Sequence, residues 1–285
     1  MRFDWSKLGR VGPKSLHNAR LLAHHALQWP ARAARANLRA LPDDSHSSFG
    51  WNAEFSALLS RLLAAPAGDV RLGLRIAGLT LIVVRGDAVQ DAFQLNRKSD
   101  AAAGDWLDSK LRALGLKPAG GVKLPYAMPD HSVAGDALYD LYMLDRELGE
   151  LSRWFGGAAE ALEDFTSRLD GLRPGPSPVC CWPHHFDIAT AVGLEEGPAD
   201  SVRSIGVGLS PGDEFYPQPY VYISPWPRFG GADLPELPLP GRWHTKGFFG
   251  AVATGEEILK LKDRGPELLE FITQAFKIGR ARLGA

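Results

Sequence analysis

Cysteine is almost missing from this chain: two residues in 285, adjacent at Cys180 and Cys181. A secreted disulfide scaffold uses several spaced pairs, so that class is excluded and a reducing compartment is expected. Long apolar runs are missing too. No stretch approaches the roughly 18 residues that a membrane span needs, so no membrane partner is expected. The opening MRFDWSKLGRVGPKS has neither an apolar core segment nor a small-residue cleavage site. No secretion signal is read from it, and a cytoplasmic protein is the expectation. Charge of one sign is also absent, since 32 Lys and Arg against 33 Asp and Glu leave a net charge of −1. Broad attraction to nucleic acid is therefore not expected, and Arg32, Arg35 and Arg39 read as a solvated helix face. HExxH, CxxC, GxxxxGK[ST] and GxGxxG are all missing. Gly206-Val-Gly208 alone falls within a strand, so nucleotide binding is discounted.

What is present is ordinary for a globular protein: 45% hydrophobic and 23% charged residues, enough for a core of its own in a single domain over residues 1–285. Lys14 to Trp29 carries apolar residues at helical spacing, and Pro30 is expected to restart a second helical piece, Ala31 to Leu41. Seven residues, nearly two turns, set His17 and His24 on one side of the first piece. Val70–Ile76 and Leu79–Val84 read as adjacent antiparallel strands turned at Ala77-Gly78. Asp105–Leu116 reads as a helix stopped by Gly115 and Pro118. The longest periodic segment, about 134–169, repeats Leu141, Leu144, Leu148, Leu151, Phe155, Ala158, Leu162, Phe165 and Leu169 at spacings of three and four. A coiled-coil seam that makes a homodimer and a long helix packed across a sheet both give this spacing, and the packed helix is the expectation. Gly156 and Gly157 are candidate kink positions. Phe186–Val192, Val202–Leu209, Pro219–Ser224 and Gly247–Ala253 read as strands, with an acidic loop at Glu195–Asp200 and a Pro- and Gly-rich excursion at Gly230–Gly241. Gly265–Leu283 closes the chain as an amphipathic helix. The fold class expected is α+β: a mostly antiparallel sheet packed against helices, one of them long.

The residues that carry chemistry crowd into Pro178–Trp226. If His184–Asp187 continue as a strand, alternation sets His185 with Asp187 on one face and His184 with Phe186 on the other. His185 and Asp187 can then supply two ligands of a divalent metal, with Glu214 or Asp213, His17, His24 or His131 completing it. The same pair can instead form a base whose imidazole a carboxylate orients. Ser210-Pro211-Gly212 fits a type II turn presenting Asp213 and Glu214 at a loop tip. Tyr220, Tyr222 and Trp226 line one face of the next strand, and Val221 and Ile223 the other. An aromatic face with polar tips suits a ring or sugar ligand; the plainer reading has Val221 and Ile223 in the core and the tyrosines covering a neighbouring helix. Cys180 and Cys181 read as inert core rather than nucleophiles, and His244 as a satisfied structural histidine.

SPVCCWPHHFDIATAV followed by SIGVGLSPGDEFYPQPYVYISPWP resembles a bacterial family catalogued only as a domain of unknown function. In that family a (His or Ser)-Phe-Asp-(Leu or Ile)-Ala strand precedes a Pro-Gly loop and a PEP-(Ala or Tyr)-Phe-Tyr strand. The resemblance reaches upstream to Leu16-His17 and to the long helix around Asp145. It departs in two places: the family's Asn-His-Trp segment is replaced by DDSHSSFGWNAE, and the Glu of PEP by Gln218. It implies one α+β domain with Phe186, Asp187, Pro211, Gly212, Pro219 and Tyr222 at its locus, and it names no substrate.

The leading expectation is a small polar-molecule binding protein, with an enzyme of unknown reaction left open. His17, His184, Asp187, Asp213, Glu214, Tyr220 and Tyr222 are its expected ligand-binding residues. One alternative is a metal-dependent hydrolase with a divalent metal on His185, Asp187 and Glu214. The other is a non-catalytic interaction module built on the helical seam.

Overall fold

The structure is a computed structural model that describes residues 3–135, 137–197, 201–229 and 234–284. The end of the expected acidic loop, 198–200, and the start of the expected Pro- and Gly-rich excursion, 230–233, lie outside the described residues. The helices are α1 (His17–Asn37), α2 (Asp100–Ala113), α3 (Asp145–Thr166), α4 (Gly255–Ile258) and α5 (Arg264–Arg282). The strands are β1 (Phe49–Asn52), β2 (Ala57–Ser60), β3 (Arg71–Arg75), β4 (Thr80–Arg85), β5 (Ala88–Gln94), β6 (Gly175–Pro176), β7 (Cys180–Trp182), β8 (Asp187–Gly193), β9 (Ser204–Ser210), β10 (Tyr220–Trp226), β11 (Arg242–His244) and β12 (Gly250–Thr254). The strand pairings are antiparallel, and the fold is α+β as expected. No helix among the described residues is long and apolar enough to cross a membrane.

Backbone contacts group the chain into two compact units. The first is Leu16–Ser152 with Cys181–Phe186. Its strands run β7-β1-β2-β3-β4-β5, with α1 packed on β2 and β3 and against α2. The β3–β4 hairpin forms where expected, and Gly78 and Leu79 both take positive φ in its turn. Pro30 does not divide α1. The expected two-segment arrangement is replaced by one helix through Pro30, because burial of Leu22, Ala26, Leu27, Trp29 and Ala34 around it outweighs the one hydrogen bond that proline removes. Helix α2 starts five residues earlier than expected, at Asp100, since the Ser99 side chain caps it by accepting from Ala102 N at 3.1 Å. Its end is as read: Gly115 has φ 73°, and Leu116 N donates back to Leu111 O at 2.8 Å.

The second unit is Met1–Ser15, Arg153–Cys180 and Asp187–Ala285. Its strands run β11-β12-β10-β9-β8, with the short β6 pairing β8. Directly opposed residues point to the same side, so register sorts the sheet into two faces. One carries Ile188, Val192, Ile205, Val207, Leu209, Val221 and Ile223, all buried, and α5 packs against β9 and β10. Phe165 of α3 meets Phe276 of α5 edge-on at 5.2 Å. The other face carries Asp187, Ala189, Gly206, Gly208, Ser210, Tyr220 and Tyr222.

The long helix α3 is narrower than the expected span of about 134–169. It starts at Asp145 because the preceding segment is held extended: Tyr139 N donates to Lys98 O at 2.8 Å and Arg97 N to Tyr139 O at 2.7 Å. Its seam residues Leu148, Leu151, Phe155, Ala158, Leu162 and Phe165 are buried within the chain. Gly157 lies inside the helix, and its bare backbone seats the rings of Phe3 and Trp5: a Cβ there would lie 2.9 Å from Phe3.

In the first unit, Gly104 of α2 faces Trp29 of α1 so closely that a Cβ would meet the indole at 2.3 Å. Gly104→Ala gains up to about 1 kcal/mol of helix propensity but overpacks a buried contact, at about 1–3 kcal/mol. Net destabilisation of about 1 kcal/mol, read as a lowered urea midpoint, is expected; a raised midpoint would show that the indole moves freely.

Candidate functional site

Tyr222 on β10 reaches across β9 to Asp187 on β8, its hydroxyl donating to Asp187 Oδ2 at 2.5 Å. Tyr222 pairs with Gly208, and Gly208 with Ala189. A Cβ at Gly208 would stand 2.6 Å from the Tyr222 hydroxyl and 2.6 Å from Ala189 Cβ. Only a glycine lets the phenol lie over this strand. Asp187 is buried, where a carboxylate needs donors to offset lost hydration. Burial, then the Asp187 charge and its hydrogen bond, hold the Tyr222 pKa well above its ordinary value, so the phenol remains a donor at neutral pH.

A second tyrosine–carboxylate pair sits beside the first. Tyr220 donates to Asp213 Oδ2 at 2.5 Å, and burial followed by that hydrogen bond raises the Tyr220 pKa. The Tyr220 and Tyr222 rings are 6.2 Å apart. Asp213 also accepts from Ser210 Oγ at 3.2 Å and from the backbone N–H groups of Phe215 at 2.8 Å and Tyr216 at 3.1 Å. Its carboxylate is turned inward to organise the loop rather than presented at a tip. The loop closes forward, Asp213 N donating to Tyr216 O at 2.9 Å, and the expected type II turn is replaced by this aspartate-centred one. Gly212 has φ 115°, so glycine is required there as read. Glu214 is exposed and takes no part in the network.

Aromatic rings flank the pairs. The Tyr216 hydroxyl lies 2.7 Å from His244 Nδ1, and His244 Nε2 lies 2.5 Å from Lys246 O. A carbonyl only accepts, so Nε2 carries a proton and donates to Lys246 O. Phe248 stacks on His244 at 4.0 Å, and Phe215 meets Phe248 edge-on at 5.0 Å. His244 is thus a satisfied histidine, as read, but it fixes Tyr216 at the edge of the network.

The first unit gathers the chain's other histidines. His24 Nε2 and Gln28 Nε2 both donate to Pro183 O, at 2.8 and 2.9 Å, while Tyr126 donates to Gln28 Oε1 at 2.8 Å. His24 stacks on Phe186, and His25 Nε2 donates to Pro129 O at 2.9 Å. Residues 183–186 form a turn, Phe186 N returning to Trp182 O at 2.7 Å and Phe186 taking φ 58°. The expected strand through His184 is therefore corrected, and alternation no longer pairs His185 with Asp187: the strand begins at Asp187. His184 lies half-buried between Tyr126 and His185, and His185 is exposed. His17 is exposed at the start of α1, its Nδ1 3.1 Å from Arg20 Nη2.

The eight residues singled out from sequence thus fall in two units. Asp187, Asp213, Tyr220 and Tyr222 come together in the second, with Glu214 turned away from them; His17, His184 and His185 belong to the first. Sequence reading missed Ser210 and Tyr216 as partners, although both stand in the loop it singled out. Among the described residues no group of three or more His, Cys, Asp or Glu side chains is placed to hold a metal ion. Cys180 and Cys181 are both buried and free of disulfides. Clefts of about 610 and 550 Å³ elsewhere in the second unit are lined by none of the network's residues; convergent polar groups, not volume, mark the candidate site. No family model matches the chain, and no curated protein or solved structure matches it either.

Two outcomes are expected. Tyr222→Phe withdraws a charge-assisted donor from a buried carboxylate and should destabilise the protein by about 1–3 kcal/mol in urea denaturation; an unchanged midpoint would mean the pair contributes nothing. For His24, burial foremost lowers the folded pKa to about 4 from 6.5. The unfolded chain therefore binds the proton first, and this stability is fully present above pH 6.5 and lost as pH falls towards 4. The span corresponds to about 3 kcal/mol at most. Melting temperature should drop across that window, and less steeply in His24→Gln, whose amide keeps a donor for Pro183 O.

Proposed function

We propose that this protein binds a small polar molecule on the Tyr220–Tyr222 face of the second unit's sheet, with Asp187 and Tyr222 as its central contacts. The observation that carries the reading is the buried Asp187 carboxylate held at 2.5 Å by a tyrosine that crosses an intervening strand. Core stability gains little from such an arrangement, since an apolar pair of the same volume would fill the space without desolvating a charge. Placement beside a second tyrosine–carboxylate pair, with the two rings 6.2 Å apart, gathers carboxylate and phenol oxygens as acceptors. Gly208 and Ala189 beneath it let the Tyr222 phenol lie across the intervening strand to Asp187. Asp213, saturated by four donors, is a positioning residue that holds Tyr220 and the loop. The groups suit a hydroxyl-rich or amine-bearing compound, whose O–H and N–H groups donate to the carboxylate and to phenol oxygens whose own protons are engaged with Asp187 and Asp213.

The test is a melting-temperature screen of sugars, polyols and short amines, run in parallel on the unaltered protein and on Asp187→Asn and Tyr222→Phe. A ligand present at about 100 times its Kd contributes about 2.7 kcal/mol and raises Tm by several degrees. That shift should be lost in both variants. Hits that shift both variants equally would place the ligand elsewhere and sink the reading, as would the absence of any hit.

A further inference from the structure

The second unit contains a cleft of about 550 Å³, within the range of small-molecule sites. Its floor is aromatic. Trp5 and Phe3 meet edge-on at 5.2 Å, both half-buried and both seated on glycine. A Cβ at Gly265 of α5 would lie 2.7 Å from Trp5 Nε1, and one at Gly157 of α3 would lie 2.9 Å from the Phe3 ring. The two helices therefore each present bare backbone to a ring, which lets the rings approach them closely. The segment that carries the rings is anchored: Arg264 Nη1 donates to Trp5 O at 3.1 Å and to Leu8 O at 2.9 Å, and Glu160 Oε2 accepts from Phe3 N at 2.5 Å.

The walls are charged with one sign. Among the described residues, Glu160, Asp164, Asp263 and Glu270 line the cleft with one cation, Arg168. Glu163, on the same helix, shows the field these charges make: burial raises its pKa, and repulsion from Glu160 and then Asp164 raises it further. An aromatic floor attracts a cation through the negative face of its ring, and carboxylate walls add to that attraction.

We infer that this cleft is a second binding site, distinct from the Asp187–Tyr222 face, and that its occupant is a small organic ammonium ion packed on Trp5 between the carboxylates of α3 and α5. The complementarity is both shape and charge: the aromatic floor desolvates the alkyl groups of the cation, and the acidic walls neutralise its charge.

The experiment is calorimetric titration of the full chain with tetramethylammonium chloride and, separately, with 1,4-diaminobutane dihydrochloride, against sodium chloride of equal ionic strength. Saturable binding of one equivalent is expected for at least one ammonium and none for sodium, with affinity falling as salt rises. It should shift the Trp5 indole N–H resonance. Trp5→Leu and Glu270→Gln should each weaken binding by about tenfold, equivalent to about 1.4 kcal/mol. Glu270 is exposed, so its variant folds even if Trp5→Leu does not. Tyr222→Phe should bind the ammonium as the unaltered protein does, which separates this site from the other. Absence of ammonium binding, sodium binding of the same strength, or unchanged affinity in Glu270→Gln would each overturn the inference.

Discussion

Burying the Asp187 carboxylate is the constraint from which the second unit's arrangement follows. A charge taken out of water must find donors, and the donor here comes from two strands away. That reach forbids a side chain on the intervening strand, which is why position 208 is glycine and its neighbour across β8 is only alanine. It also keeps large apolar groups off this part of the face, so the sheet is asymmetric: branched aliphatic residues against α5 on one side, small residues and two phenols on the other. The loop after β9 obeys the same rule on a smaller scale, with Asp213 drawing in a phenol, a hydroxyl and two backbone N–H groups.

The two units answer the problem of buried polar groups with opposite chemistry. In the second, carboxylates accept from tyrosines whose pKa values burial has raised, and the phenols stay protonated throughout the neutral range. In the first, histidines donate to backbone carbonyls of loops, and burial depresses the pKa of His24 and of His184 to about 4. Burial, not the hydrogen bond, favours the neutral imidazole, since an imidazolium would also donate to the carbonyl. Acid therefore acts on the unit that holds α1 and its loops as pH falls from 6.5 towards 4.

Much of the architecture was legible in the sequence, since helices and strands announce themselves through local periodicity. The β3–β4 hairpin, the stop of α2 at Gly115 and the alternation of Tyr220 and Tyr222 against Val221 and Ile223 were all read from spacing. The errors share a cause. Pro30 was read as a break, and 134–144 as helix, because local propensity was weighed without the burial and the backbone pairing to residues 97–99 that override it. The strand was started at Phe186, and conditionally at His184, whereas the left-handed conformation of Phe186, which leaves no composition signal, keeps residues 183–186 in a turn.

What the sequence determined by itself is which residues lie near one another along the chain: the α+β class, the crowding of polar and aromatic types between Pro178 and Trp226, and the face each strand residue takes. Only the tertiary structure decided which of those side chains meet. Tyr222 and Asp187 are 35 positions apart, and Phe3 and Glu160 are 157. No local rule links such positions, because sheet register and helix packing are settled by the whole core at once. The inward turn of Asp213 and the separation of His185 from Asp187 by a turn follow from that register. So does the seating of two aromatic rings on glycines of different helices.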